Sequence, residues 1–305
     1  MSEALPPRLA DCHQHLWPER FLDALRSRDA YPYLRDWTLH LAGEDPYPVQ
    51  AKDHDVSLRR AAELAEGREI AAVSLSSPLG IEHLPAAEGA GLIDVWHESA
   101  LGLPDPFRVW AAASVTDPDP GALSTVLGEE RVVGLQLPAT ALTDPAAIER
   151  LGPLLGELER AGKPLLVHPG PAPACPPGLP SWWPALVPYV SQLHQSWLAW
   201  HVCGRERHPA LRIAFVALAG LAPLHHERLA ARGGALGVVD PNVFYETSSY
   251  GTRAIDAMVR VVGVDGIVHG SDRPYAEPCE PGLGDAFTHA VFTANPHRLL
   301  TGEPR

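Results

Sequence analysis

Leu9-Ala10-Asp11-Cys12-His13-Gln14-His15 is the stretch on which the reading of the fold turns. Its apolar start is that of a strand, and strand side chains alternate, so Asp11, His13 and His15 share one face. An open doubly wound sheet would carry a glycine-rich phosphate turn at the end of its first strand. Here ligand-type residues stand in that place. Two imidazoles on one face at a strand end can reach a single ion, at roughly 2.0–2.1 Å each for zinc. An isolated His-x-His is also what two ordinary histidines near a domain start look like, so the rest of the chain decides.

Outward from this stretch, short β-rich apolar runs alternate with longer amphipathic segments. Strands are expected at 8–14, 69–76, 107–114, 131–137, 163–168, 211–218, 242–247 and 266–271. Helices are expected near 57–66, 84–100, 119–129, 144–162, 190–206, 222–233, 252–262 and 285–299. Asp144-Pro145 reads as an N-cap followed by proline at the first helical position, and Gly162 as a C-terminal stop. Eight strands alternating with eight helices is the count of a parallel (β/α)8 (TIM) barrel. Two stretches lie outside the alternation. Residues 30–56 hold Tyr31, Tyr33, Trp37, His40 and His54, and residues 169–189 read PGPAPACPPGLPSWWPALVPY. Both follow C-terminal strand ends, the active-site face of a barrel, and are expected as insertions that wall or cover it. For 169–189 a dimerisation loop is an equal reading. With no linker or low-complexity tract, residues 1–305 read as a single domain.

A formal net charge of −13 argues against nucleic acid or an anionic membrane surface as partner. The four cysteines, Cys12, Cys175, Cys203 and Cys279, show no C-x-x-C spacing, so neither a disulfide framework nor a thiolate zinc site is read. Met1 to Pro7 lacks the pattern of a signal peptide, and no apolar run reaches the roughly 18 residues of a membrane span. The expectation is a cytoplasmic protein acting on a small molecule, with a homodimer as the commonest symmetric assembly.

Two further residues join His13 and His15. His168 closes the apolar run Lys163-Pro164-Leu165-Leu166-Val167-His168, where a ligand-capable side chain is out of character for core packing. Asp272 follows the eighth run, in Val268-His269-Gly270-Ser271-Asp272-Arg273-Pro274. In a closed barrel that position lies beside strand one. Four ligand-type residues at strand ends one, five and eight therefore converge.

At His13-x-His15, Val167-His168-Pro169 and Gly270-Ser271-Asp272-Arg273-Pro274 the chain resembles the metal-dependent amidohydrolase superfamily. It looks most like the amidohydrolase-related branch that contains aminocarboxymuconate-semialdehyde decarboxylase and related decarboxylases, hydratases and lactonases. The resemblance implies one divalent ion, usually zinc, held by His13, His15, His168 and Asp272, with Asp272 also carrying protons. Manganese, iron or cobalt would suit the same donors. Members commonly carry His-x-Gly-Gly at the end of strand six. This chain has Ala217-Leu218-Ala219-Gly220, so that histidine is Ala217. His269, His194, His201, His225 and His226 are the candidates to replace it. Arg273 could pair a substrate carboxylate, for which its planar fork is suited, or could hold Asp11 or Glu246. His194, Trp17 and Trp182 are candidate substrate contacts, the tryptophans being equally eligible for core packing.

The expected activity is hydrolysis of a small amide, ester or lactone by a metal-activated water, with Asp272 as the catalytic proton carrier. The alternative is a lyase, chiefly non-oxidative decarboxylation of a cyclic or aromatic acid. A non-catalytic metal- and ligand-binding relative is a third reading, resting on Ala217.

Overall fold

The computed structural model describes residues 9–174, 176, 178–235, 239–279 and 281–303. Cys175 and the residues before Leu9 lie outside these.

Strand β1 (Leu9–Gln14) opens the barrel. Three short strands, β2 (Tyr33–Arg35), β3 (Thr38–His40) and β4 (Tyr47–Pro48), form a separate antiparallel sheet within the 30–56 insertion. The barrel continues with β5 (Arg68–Val73), β6 (Phe107–Ala111), β7 (Val132–Pro138), β8 (Leu165–His168), β9 (Ile213–Phe215), β10 (Val243–Glu246) and β11 (Ile267–Val268). The eight barrel strands pair in sequence order, and each pairing is parallel. The eight runs expected from sequence thus become a (β/α)8 TIM barrel with insertions. The ring is drawn shut by the segment just past β11. His269 O accepts the Cys12 N–H at 2.9 Å, and His13 O accepts the Ser271 and Asp272 N–H groups at 3.1 and 2.9 Å. That closure places Asp272 beside the first strand.

The strands are nearly all buried because helices cover the outside while side chains fill the inside. Trp110 reaches across to donate its indole N–H to Cys12 O at 2.9 Å. Its ring has room only because residue 134 is glycine: a Cβ there would stand 2.5 Å from the indole and 2.3 Å from Pro164 O. The helix Pro145–Ala161 is capped as its sequence implies. Asp144 accepts the Ala147 N–H, and Gly162 ends it at φ 61°.

Four elements differ from expectation. A helix at Glu19–Arg26 follows β1, burying Phe21, Leu22 and Leu25. The segments expected as single helices at 190–206 and 285–299 each contain a π-helical turn, at Trp200–Gly204 and Ala290–Ala294. The helix expected at 222–233 shrinks to His226–Ala230. It starts late because Ala217 through Leu221 first make a left-handed turn, with φ between 48° and 68°. No helix among the described residues is long and apolar enough to cross a membrane.

Candidate metal centre

His13 and His15 leave β1 on one face, His168 ends β8, and Asp272 sits in the turn past β11 with φ 56°, a conformation aspartate tolerates. One ligand atom from each of the four lies within 4.8 Å of all the others. His13 Nε2 and His15 Nε2 are 3.2 Å apart, and Asp272 Oδ1 is 3.2 Å from His15 Nε2 and 3.8 Å from His13 Nε2. The three imidazole centroids are 4.9, 4.9 and 5.1 Å from one another. The histidines are buried.

The outer nitrogens explain why the inner ones converge. His13 Nδ1 meets Glu246 Oε2 at 3.2 Å, His15 Nδ1 meets Ser74 O at 3.1 Å, and His168 Nδ1 meets Pro169 O at 2.8 Å. Each of those partners is an acceptor, so each Nδ1 carries the proton and each Nε2 turns a lone pair inward. Lone pairs facing each other at 3.2 Å repel unless a cation lies between them. Imidazoles oriented by acceptors on their far side are the arrangement that metal-binding histidines adopt. The residues therefore fit a divalent ion, with three nitrogen donors and one carboxylate.

Electrostatics follow the same layout. Burial opposes the charged form of His13, but the Glu246 hydrogen bond and the charges of Asp272, Glu246 and Asp11 raise its pKa above the ordinary value. Burial lowers that of His15, against the neighbouring Asp272 carboxylate. Burial and then the neighbouring His13 and His15 hold His168 well below its usual range. Burial would raise Asp272, yet its contact with His15 and the neighbouring His13, His15 and His168 leave it lowered.

Glu246 is a site residue that the sequence reading assigned only as a partner for Arg273. Besides His13 it accepts the Ser248 hydroxyl at 2.7 Å, the Ser248 N–H, and the Ala217 N–H at 3.3 Å. A Cβ on Gly270 would fall 2.4 Å from Glu246 Oε1, so that glycine is what admits the carboxylate. The available signal was a carboxylate ending an apolar barrel strand, the same signal that marked His168. Asp11 stays out of the cluster. It accepts the His13 and Ser271 N–H groups at 3.1 Å each, and the Gln14 side chain at 3.0 Å, tying β1 to the closing turn.

A cavity of about 740 Å³ opens over the cluster, walled by both insertions, with Tyr47 from 30–56 and Trp183 and Tyr189 from 169–189. Ala217 lines it. Among the described residues its only histidines are His13, His15 and His168, so no other imidazole refills the strand-six position. His269 is buried against Phe292 at 4.2 Å, and His201 stacks on Trp197. The expected substrate contacts Arg273, His194, Trp17 and Trp182 are not on the cavity wall. Arg273 points away from Asp272, donating to Glu63 at 3.5 Å and Glu66 at 2.5 Å. His194 meets Gly220 O at 2.6 Å. Trp17 is fully buried, stacked on His54 at 4.5 Å. Trp182 is 53% exposed on the outside, leaving the wall to its neighbour Trp183.

The model of the amidohydrolase family matches residues 10–301. The chain belongs to that family. No curated protein matches it significantly by sequence. Among solved structures, it is similar to apo IDCase from Metarhizium anisopliae, with 17% identity over 97% of this chain and 98% of that one, at a TM-score of 0.79. It is also similar to 5-carboxyvanillate decarboxylase from Novosphingobium aromaticivorans, complexed with manganese and 4-hydroxy-3-methoxy-5-nitrobenzoic acid (15% identity, 96% of each chain, TM-score 0.69). A third is 2,6-dihydroxybenzoate decarboxylase from Rhizobium (17% identity, 97% and 99% coverage, TM-score 0.69). The resemblance to the amidohydrolase-related branch therefore holds. The expectation of a hydrolase is corrected: 5-carboxyvanillate decarboxylase and 2,6-dihydroxybenzoate decarboxylase share the barrel from end to end, which favours the lyase alternative.

Proposed function

We propose that this single-domain barrel is a metal-dependent lyase that decarboxylates a cyclic or aromatic acid without oxidation. The observation that carries the reading is the Asp272 carboxylate lying 3.2 Å from a ligand nitrogen of the three-histidine cluster, in a cavity lined by no further histidine among the described residues. Non-oxidative decarboxylation needs a single proton delivered to carbon, and one carboxylate that relays it from solvent suffices for that.

His13, His15 and His168 would hold the ion, with Asp272 completing the set. When bound, the ion supplies positive charge that orients the substrate carboxylate and an adjacent hydroxyl and offsets charge developing on the ring. The remaining work belongs to the chain. Asp272, ionised at rest, takes up a proton from solvent and passes it to the ring carbon as the bond from that carbon to the carboxylate breaks. The electron pair stays on the ring carbon, takes up the proton, and the carboxylate departs as carbon dioxide. Glu246 keeps His13 in one tautomer throughout. The apolar wall, including Leu193, Val216 and Ala217, limits water around the ring. A cavity of about 740 Å³ suits a substituted single ring. Manganese, as in the similar complex, and zinc both suit three imidazoles and a carboxylate.

A substrate screen that sets hydroxybenzoic acids against lactones, esters and amides tests the reading. We expect carbon dioxide from at least one acid, loss of that activity on chelation, and at least a hundredfold loss in Asp272→Asn. Turnover confined to lactones, esters or amides would exclude it.

A further inference from the structure

The cavity has an unusual charge balance for a site that binds an acid. Three carboxylates line it, Glu44, Asp45 and Asp272, and among the described residues no lysine or arginine does. Arg273, the one cation near in sequence, is committed to Glu63 and Glu66 outside the wall. A substrate carboxylate therefore finds positive charge only at the metal cluster. Glu44 lies elsewhere on the wall, and tyrosines flank both it and the cluster. The Tyr275 ring lies 5.5 Å from that of His15, Tyr275 hydrogen-bonds Tyr47, and the Tyr189 hydroxyl donates to Glu44 Oε1. No described residue partners the other carboxylate oxygen of Glu44. Burial raises the pKa of Glu44, with the Tyr189 hydrogen bond opposing it. A partly desolvated carboxylate with one open oxygen on an aromatic wall is a seat for a cation or a strong N–H donor.

We propose that the substrate is an aromatic acid with a single carboxylate, directed to the metal cluster, and an amine-bearing substituent seated on Glu44, and that acids with a second carboxylate are excluded. This rests on the decarboxylase reading for which group reacts, but the charge preference belongs to the cavity itself. The second carboxylate of a diacid would meet Glu44 and Asp45 with no cation to answer it, whereas an ammonium replaces its lost water with Glu44 and the tyrosine hydroxyls.

The test uses the full chain loaded with manganese and a matched series: 2-hydroxybenzoate carrying an aminomethyl group, hydrogen, or a second carboxylate at position 4. Binding is measured by calorimetry and carbon dioxide release is read alongside. We expect the aminomethyl acid to bind at least tenfold more tightly than the diacid, and that ratio to fall at least tenfold in Glu44→Gln. Equal or tighter binding of the diacid to the unsubstituted protein overturns the proposal, as does an unchanged ratio in Glu44→Gln. The two readings fail separately. The expected order of affinities without carbon dioxide from any acid would sink the decarboxylase reading alone. Carbon dioxide released with the diacid preferred would sink this one alone.

Discussion

The Nδ1 nitrogen of His13 finds its acceptor, Glu246, 233 residues further along the chain. That distance explains what the residue types could and could not say. His13, His15, His168 and Asp272 were legible because each is a ligand-type side chain at the end of an apolar strand run, and a barrel gathers such ends at one mouth. The role of Glu246 was not legible, because it depends on which strand end faces which across the ring. The position of Arg273 next to Asp272 suggests a substrate contact, but the side chain after a ligand points the other way, here to Glu63 and Glu66. Two outcomes belong to this scale. Glu246→Gln removes the charged acceptor behind His13 and should weaken metal binding roughly 10–100-fold, the range for second-layer partners, as read by metal titration with circular dichroism unchanged. His13→Ala and Asp272→Asn should each purify with less metal than the parent. Full metal content in both variants would mean that the ion, if bound, has other ligands.

Among elements, the alternation of apolar runs with amphipathic segments carried the barrel, since burial on both faces gives barrel strands a continuous apolar signature. The left-handed turn after β9 left no such trace. Of Ala217, Leu218, Ala219, Gly220 and Leu221 only Gly220 belongs naturally at positive φ, so composition placed Ala217 and Leu218 at the end of the sixth strand and gave no sign of the turn. The turn brings the Ala217 N–H to Glu246 and its Cβ to the cavity, which joins backbone conformation to the positioning of His13. A left-handed non-glycine residue costs roughly 1–2 kcal/mol, and Ala217 is only half-buried, so little packing is lost on removing its methyl. Ala217→Gly should therefore raise stability by about 1 kcal/mol, roughly a 2 °C gain in thermal midpoint for a chain of this size. Ala217→Val should lower it. A lower midpoint for the glycine variant would show that the turn is not strained at this residue.

For the whole molecule, stability should depend on pH through groups buried far from the cluster as well as near it. Burial, with help from Arg59 and His15, pulls His54 down to about 3, and burial pulls His97 down to about 4, with its Nε2 accepting the Ala112 N–H. Both fold as neutral rings. Their contribution is present above the unfolded value of 6.5 and is lost as pH falls toward these lowered values. Glu82 has the opposite sign. Burial pushes it up to about 7 against the Ser77 hydrogen bond, so its contribution is greatest below 4.5 and fades as pH rises to 7. Urea midpoints should thus fall between pH 7 and pH 5, and fall further in Glu82→Gln, where the compensating carboxyl is gone. An equal drop in both proteins would remove Glu82 from the balance. Ligand linkage adds a further dependence: an ion that binds only the folded chain stabilises it by about 2.7 kcal/mol at a hundredfold excess over its dissociation constant. The barrel, the cluster and the acid chemistry meet in one measurement. The manganese-loaded protein is supplied in deuterated water with a hydroxybenzoic acid it turns over, labelled with carbon-13 in the carboxyl. We expect labelled carbon dioxide and a product with one deuterium on the ring carbon that lost the carboxylate, both lost on chelation and in Asp272→Asn. Carbon dioxide release that persists without metal, or an undiminished rate in Asp272→Asn, would contradict the assignment of this cluster as the decarboxylating site.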